Sequence, residues 1–470
     1  MLGPHVTIDP MYGITSSAPE VRALQDELTG TVTVAGDAGW DDARAAWNLA
    51  VDQHPAVVAE PETVADVVAI VRFARERGLR VTAQGTGHAA AALGSLRDTV
   101  LVKTHRMRVV GIDPECRLAR AQAGAVWADI VAPASEHGLA PLAGSSHDVG
   151  VVGYTLGGGL SWLGRKHGLA ANDVVAIQVV TADGRVRVVD ADHEPDLFWA
   201  LRGGGGSFGI VTAIEIALHP VDELCAGMLA FPWERAGVVL RAWREWTRTV
   251  PDEVSSSARI LQVPPLPEIP EPLRGRNFAL IEVVCLHDEA STADLVAPLR
   301  ELGAEIDTIA PTGPAGLLEL HMDPPGPVPG SGDGALLDEL PGDAIDALVA
   351  AAGPGSGSPL VSVELRHLGG ALGRAQDSHG ALASLEADFA LYAVGMAPHA
   401  AAAAAVEAHL DVVKEAVSEW NPGQRFLNFS ERPSGHEAFP PEALRRLRAI
   451  KTLVDPDDMI RSNHPIAPID

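Results

Sequence analysis

The sequence predicts an α+β protein built in two parts, each mixing helices with strands. Three observations point that way. The chain has 470 residues, too many for a single hydrophobic core. Apolar residues make up 47% and charged residues 21%, the balance of an ordinary folded chain. Helical periodicity alternates with short strand-like runs, and the texture changes near Pro220. Before that point, glycine loops separate the elements. After it, residues 221–424 alternate strands with helices.

The spacing predicts a helix over residues 60–78: Pro61 and Thr63 open it, Val64, Val67, Val68, Val71 and Phe73 give it an apolar face, and Gly78 stops it. A strand over 79–83 runs into a glycine loop. Strands follow over 100–103 and 109–112, then a turn at Asp113-Pro114-Glu115 and a strand ending at Gln122. Residues 126–137 read as a helix closed by Gly138. Strands 174–181 and 185–189 form a hairpin about Asp183-Gly184, a favoured tight-turn pair. A short helix over 196–201 and a strand over 210–218 complete this half. In the second half, 279–285, 360–364 and 389–394 read as strands, and helices begin at 400–405 and span 440–455. The Pro- and Gly-rich stretches 264–272 and 324–334 read as surface loops.

Composition excludes several roles. The formal net charge of −27 repels phosphate backbones and anionic lipid, so nucleic-acid and membrane partners are not expected. Cys116, Cys225 and Cys285 offer neither a zinc spacing nor a disulfide framework. Residues 1–9 lack a basic stretch followed by an apolar run, and no apolar run approaches the roughly 20 residues of a membrane span. A reducing cytoplasm is the expected compartment, and no metal is expected.

Glycine-rich loops carry the chemistry. Gly85-Thr86-Gly87-His88-Ala89-Ala90 fits a dinucleotide-loop pattern after a strand. A Rossmann reading fails because Gly94 interrupts any following helix and no acidic residue sits about 20 residues on to hold a ribose. A loop that brings backbone N–H groups against a diphosphate remains. Gly205-Gly206-Ser207-Phe208-Gly209 matches a nucleophile elbow, but the order here is helix, loop, strand, which excludes the hydrolase reading. Gly144 to Gly159 is too glycine-dense for ordinary packing. It suits a long ligand lying along the loop, or else a set of tight turns.

In this order the motifs resemble those of the FAD-linked oxidases with a vanillyl-alcohol-oxidase (PCMH) type flavin domain, within them the berberine-bridge-enzyme-like branch. The likeness covers nearly the whole chain. The family's glycine loop holds a histidine bonded to the flavin 8α-methyl; here it reads Gln84-Gly85-Thr86-Gly87-His88. Many members add a cysteine bonded to flavin C6, and Ser146 stands at that position, which implies a single link through His88. Arg202-Gly203-Gly204-Gly205-Gly206-Ser207-Phe208-Gly209 resembles the family's R-G-G-G-G-N-F-G. Phe426-Leu427-Asn428 resembles its Y-x-N, with phenylalanine where some members have a tyrosine base. Asp455-Pro456 through Arg461 resembles its final D-P-x-x-x-F-R.

The resemblance implies a two-part FAD-binding domain over 1–220 with its core at about 52–220, a substrate domain over 221–424 with an antiparallel sheet covered by helices, and a segment 425–470 that returns to the FAD domain. It implies cofactor contacts at Gln84, Gly85, Thr86, Gly87, Ala89, Ser146, Val149, Gly150, Gly153, Tyr154, Gly158, Val211, Asn428 and Asn463. Val149 falls where members carry the residue that gates oxygen, and valine resembles the oxidases. The implied chemistry is hydride transfer from a small or medium organic substrate to flavin N5, with O2 as acceptor and hydrogen peroxide as product, in bacterial secondary metabolism. An oxygenating enzyme of a polyketide pathway and a non-catalytic flavin-binding redox protein are the alternatives.

For the base, Glu364 in the run Val361 to His367 is the candidate. If Val361 and Val363 face a core, Ser362, Glu364 and Arg366 share the other face, where the carboxylate is expected to have a raised pKa. The alternative is a solvated Glu–Arg surface pair. Tyr154 is expected to hydrogen-bond the flavin or take part in catalysis, and Arg366, His321 and Tyr392 are pocket candidates, unless the last two are structural.

Overall fold

The computed structural model describes residues 15, 17–267, 269, 271–434 and 437–469. Residues 1–9, which bore on a secretory signal, lie outside them. The expected helix over 60–78 runs Val64–Glu76, because Thr63 and Asp66 form a reciprocal capping box that fixes its start. Residues before the cap are the strand Val57–Glu60.

Two larger sheets and a two-stranded one, Leu139–Ala140 with His219–Pro220, make the first half. Thr31–Thr33, Val57–Glu60, Thr99–Lys103 and Arg80–Gln84 lie side by side in that order. The last three run parallel. An antiparallel sheet orders Val110–Asp113, Leu118–Gln122, Ile210–Ala217, Val174–Val180 and Val186–Val189. The glycine loop after Gln84 is followed only by a short 3-10 turn, Ala90–Leu93, so no Rossmann helix exists there.

An eight-stranded antiparallel sheet makes the second half. Its path runs Ile306–Asp307, Cys225–Pro232, Asn277–Cys285, Val254–Gln262, Leu360–His367, Phe389–Met396 and Gly330–Leu337, with Ala310–Pro311 also on Cys225–Pro232. One face is apolar: Phe231, Ile260, Val283, Leu365 and Leu391 pack beneath the helices Ala236–Thr247, Gly342–Ala352 and Ala400–Ala416. Side chains alternate along a strand, so the intervening residues share the other face. Register sets Ser257 beside Glu282, Arg259 beside Glu364, and Glu364 beside Tyr392.

The stretch 324–334 is only partly a loop. Gly330–Leu337 is an edge strand, paired along its length with Phe389–Met396. Its glycines leave room for the C-terminal segment. A Cβ on Gly332 would lie 2.4 Å from Tyr392 Oη, and one on Gly334 would lie 2.8 Å from the Phe429 carbonyl oxygen.

The tail then returns to the first sheet. Val81 N–H donates to the Met459 carbonyl (2.9 Å) and Arg461 N–H to the Val81 carbonyl (2.8 Å). Lys451, fully buried, holds this return. Its ammonium donates to the Ser207 carbonyl (2.8 Å), the Ile460 carbonyl (2.9 Å) and Asp455 Oδ2 (2.6 Å). Asp455 in turn accepts from the N–H groups of Met459 (2.9 Å) and Ile460 (2.7 Å). The Ser207 hydroxyl, read in the sequence as a false nucleophile, accepts from Ile466 N–H (3.0 Å) and pairs with Ser462.

Removing one partner of a buried pair leaves an uncompensated charge. Lys451→Met is expected to destabilise the protein by about 3–5 kcal/mol in urea unfolding. Lys451→Met with Asp455→Leu should cost less than Lys451→Met alone, and an equal or larger cost would show that the pair is not the source.

Candidate active site

His88 is held from three sides. Nδ1 lies 2.7 Å from Thr86 Oγ1, two residues back in the same loop. The ring stacks on Trp47, centroids 4.0 Å apart. Nε2 lies 3.4 Å from Asp148 Oδ1, but without hydrogen-bond alignment, so this buried nitrogen has no partner. Asp148 is fixed by Trp47 Nε1–H (2.5 Å) and by the Ser146 hydroxyl (3.0 Å). Burial pushes the Asp148 carboxyl up, yet contact with His88 and the bonds from Trp47 and Ser146 hold it down at about 2. Asp148 is therefore an anion beside the imidazole. Ser146, where a second covalent link would sit, spends its hydroxyl on that anion.

Both loops and the tail meet around His88. Asn463 Nδ2 donates to the Ala89 carbonyl (3.2 Å). Gly85 and Gly150 have only loose neighbours, the nearest at 3.5 and 3.8 Å from a built Cβ, and Gly153 has none within 4 Å. Val149 is half-buried beside them. Gly87 needs its positive φ of 96°. Gly157 to Gly159 do not open toward a ligand. A Cβ on Gly157 would strike Asn428, on Gly158 Leu382 and Phe426, and on Gly159 Tyr154. These glycines admit protein. Gly158 is thus a packing residue, and the ligand reading of the dense run holds only for its first part. Val211 is also packed into the core, at 3% exposure.

Asn428 was expected beside the flavin. Its amide is already committed: Nδ2 donates to the Tyr154 carbonyl (3.0 Å) and Oδ1 accepts from Gly159 N–H (3.1 Å). It positions the segment that carries Tyr154. The Tyr154 ring meets Trp127 edge-on at 5.2 Å, and its buried hydroxyl has no partner. Burial raises that phenol above its ordinary range, so it stays protonated.

Above these loops, the polar face of the large sheet carries a charged cluster. Glu364 Oε2 lies 3.0 Å from His321 Nε2, and its Oε1 accepts from Arg366 Nε. His321 Nδ1 lies 2.9 Å from Glu282 Oε2, and Arg259 donates to Glu282 Oε1 at 3.0 Å. The Arg366 guanidinium lies over Trp162 (5.2 Å) and Phe429 (5.4 Å) and donates to Ser145 Oγ at 3.3 Å in the glycine loop. Tyr392 donates to Glu431 Oε1 at 2.8 Å and rests on Phe429, centroids 5.1 Å apart.

The cluster overturns the expected raised pKa of Glu364. Burial alone would raise it, but Arg366 and His321 outweigh burial and drive it well below the carboxylate range. The surface-pair alternative fails too, because Glu364 is 3% exposed. His321 is penalised by burial and by Arg259, but Glu282 and Glu364 raise it to about 9, so it is an imidazolium between two carboxylates. Glu282 is held at about 2, against burial, chiefly by His321 and Arg259. Glu431 behaves oppositely: burial pushes it up to about 7, against the Tyr392 hydrogen bond.

Arg366 and His321 thus both contact Glu364, with Tyr392 its register partner on the next strand. Trp47, Asp148, Glu282, Trp162 and Glu431 were missed. Asp148 lay two residues from Ser146 and was available to inspection; Trp47, a hundred residues earlier, had no local signal. A separate cavity of about 250 Å³, lined by Arg165, Arg248, His367 and Asp388 among others, contains none of the predicted residues.

Unpartnered buried polar atoms mark where a polar ligand belongs. Gln84 Oε1 and Nε2 at the end of a strand, His88 Nε2 in the glycine loop and Tyr154 Oη on the short helix Val151–Leu156 are four such atoms. These residues fit a flavin dinucleotide: glycine backbone for the diphosphate, an amide and a phenol for polar edges, and an imidazole for the ring periphery.

Comparison with known proteins agrees. A family model described as an FAD binding domain matches residues 55–190. The chain is 28% identical to the FAD-linked oxidoreductase YgaK of Bacillus subtilis over 236 residues, 49% of this chain and 52% of that protein. It therefore matches only about half the length of that relative. It is 26% identical to the (R)-6-hydroxynicotine oxidase of Paenarthrobacter nicotinovorans over 94% of this chain and 97% of that one. Its fold is similar to that of BBE-like 1 from Physcomitrella patens, with a TM-score of 0.84 at 21% identity over 96% of this chain and 99% of the other. No described helix is long and apolar enough to cross a membrane. With its glycine loops, its His88 loop and its returning tail in place, the chain carries a match to an FAD binding domain over residues 55–190, is similar in sequence to FAD-linked oxidoreductases, and shares the fold of a BBE-like protein.

Proposed function

We propose that this chain is an FAD-dependent oxidase of a small or medium organic molecule, with FAD carried covalently on His88 alone. The observation that carries this is the set of unpartnered buried atoms on Gln84, His88 and Tyr154. FAD, when bound, supplies the hydride acceptor and hands electrons to O2. The chain's own residues bind, orient and manage protons. Thr86 orients His88 through Nδ1, and Asp148, an anion 3.4 Å from Nε2, stabilises positive charge on the ring. Val149 lines the flavin loop without a polar group to obstruct oxygen. Glu364, permanently charged, holds Arg366 and His321 in place in the roof of the site. Residues 1–220, 221–424 and 425–470 form the FAD-binding part, the substrate part and the returning segment.

Substrates of this class carry a C–H bond beside an O–H or N–H. The relatives suggest two probes: (R)-6-hydroxynicotine, and xylooligosaccharides, after a fungal xylooligosaccharide oxidase 31% identical over 252 residues. A cytoplasmic location in a bacterium and a role in secondary metabolism complete the reading. The polyketide-oxygenase alternative differs in where oxygen goes.

Acid-precipitated, washed protein should be yellow, and a His88 peptide should carry the mass of FAD. His88→Ala should give a colourless pellet. Asp148→Asn should lower the covalently loaded fraction at unchanged folding. A colourless wild-type pellet would remove the covalent claim while leaving FAD binding to be measured in the supernatant.

Under air, a turned-over probe should yield one peroxide per product and no label from 18O2. Labelled oxygen in the product would establish the oxygenase instead. Bound FAD that no substrate reduces would favour a redox protein without catalysis.

A further inference from the structure

We propose that the proton released when the substrate is oxidised is taken by Tyr392, backed by Glu431, and not by Glu364. The proposal rests on the oxidase reading above. A proton acceptor needs a lone pair that cations have not claimed. Both oxygens of Glu364 already face a cation, Arg366 on one and His321, at 3.0 Å, on the other. Protonating it would break both contacts inside a buried cluster.

Tyr392 is placed differently. It is the register partner of Glu364, so it stands on the same face of the sheet, toward the flavin loops. Arg366 and Tyr392 both pack on Phe429, which seats the phenol beside the guanidinium on one aromatic ring. Position 426 carries a phenylalanine, whose ring meets Phe429 at 5.3 Å. The phenol of this site is therefore on the neighbouring strand. Gly332 makes room for it, since a Cβ there would press on both Tyr392 Oη (2.4 Å) and Glu431 Oε1 (2.9 Å).

Glu431 has no cation at ion-pair distance among the described residues. Its charged neighbour is Asp333 on the edge strand, while Tyr392 and the Gly332 backbone donate to it. The nearby cations, Lys414 of the long helix and Arg425, are both bound to Asp333, the latter at 3.1 Å. Burial, with the charge of Asp333, outweighs those hydrogen bonds, so Glu431 holds a proton up to about pH 7.

The step balances as follows. The substrate O–H or N–H proton passes to Tyr392 Oη as the phenol's own proton passes to Glu431 Oε1. The adjacent C–H hydrogen leaves with its electron pair to the oxidant, FAD, and a C=O or C=N bond forms. Glu431 must be ionised at the start, so the rate should rise with pH through about 7.

The test has one arm without substrate. Infrared difference spectra of the flavinated protein, stepped between about pH 5 and about pH 9, should show a protonated-carboxyl band that titrates near 7. Glu431→Gln should abolish it and Tyr392→Phe should shift it. In the second arm, anaerobic flavin bleaching is followed with (R)-6-hydroxynicotine and xylooligosaccharides. Tyr392→Phe should slow it about 100-fold or more at unchanged FAD content. Glu431→Gln should flatten the pH profile, while Glu364→Gln should keep the inflection near 7 whatever its effect on rate. A carboxyl band that survives Glu431→Gln, or a pH–rate curve unaltered by Tyr392→Phe, overturns the proposal. If neither probe bleaches wild type, the oxidase reading is what suffers, and the infrared arm still decides whether this pair holds the proton.

Discussion

The buried ammonium of Lys451 is the constraint on which the rest depends. The helix Pro441–Val454 delivers it to the carbonyls of Ser207 and Ile460, which are far apart in sequence. Asp455 neutralises it and turns the following residues back through their N–H groups. The tail can then add alongside Val81, in the strand that leads into the His88 loop. A charge with no route to solvent is costly unless every donor is used. Satisfying it therefore fixes where the C-terminal segment lies, and with it Asn428, Phe429 and Glu431. One ion pair thus sets the distance between cofactor loop and roof.

His88 is organised by a different economy. Its loop contributes only Thr86; the stacking ring and the anion come from Trp47 and Asp148, on separate segments. The Trp47 N–H ties those segments together through Asp148. An imidazole held this way has little rotational freedom, and fixed geometry is what a reactive nitrogen needs.

Legibility in the sequence followed the range of the interactions. Helix and strand periodicity is local, so most elements were found within a few residues. The strands Cys225–Pro232 and Val254–Gln262 lacked clear alternation because both faces are buried. The edge strand Gly330–Leu337 looked like a loop because its glycines serve a packing need of the C-terminal segment. The motif order gave His88, Ser146 and the tail. Pairings such as Trp47 with Asp148, or His321 with Glu282, depend on tertiary contacts that no window of sequence contains. The pKa of Glu364 was misjudged for the same reason: burial was foreseen, but the second cation, His321, comes from a distant loop.

The roof cluster shows why such contacts persist. Five charged side chains, Arg259, Glu282, His321, Glu364 and Arg366, lie buried on one face of a sheet whose other face is apolar. Well-packed hydrophobic residues would hold a sheet at least as stably, since each desolvated ion costs several kcal/mol by a rough measure. Stability is therefore a poor reason for the cluster. Its geometry suggests another: each carboxylate is saturated, so none of the five has a free lone pair, and the face is rigid and electrostatically settled. Beside it stands Glu431, which among the described residues has no cation at ion-pair distance and is bonded to the Tyr392 phenol. A site that must move one proton is served by one responsive group among fixed ones, because protons then have a single place to go.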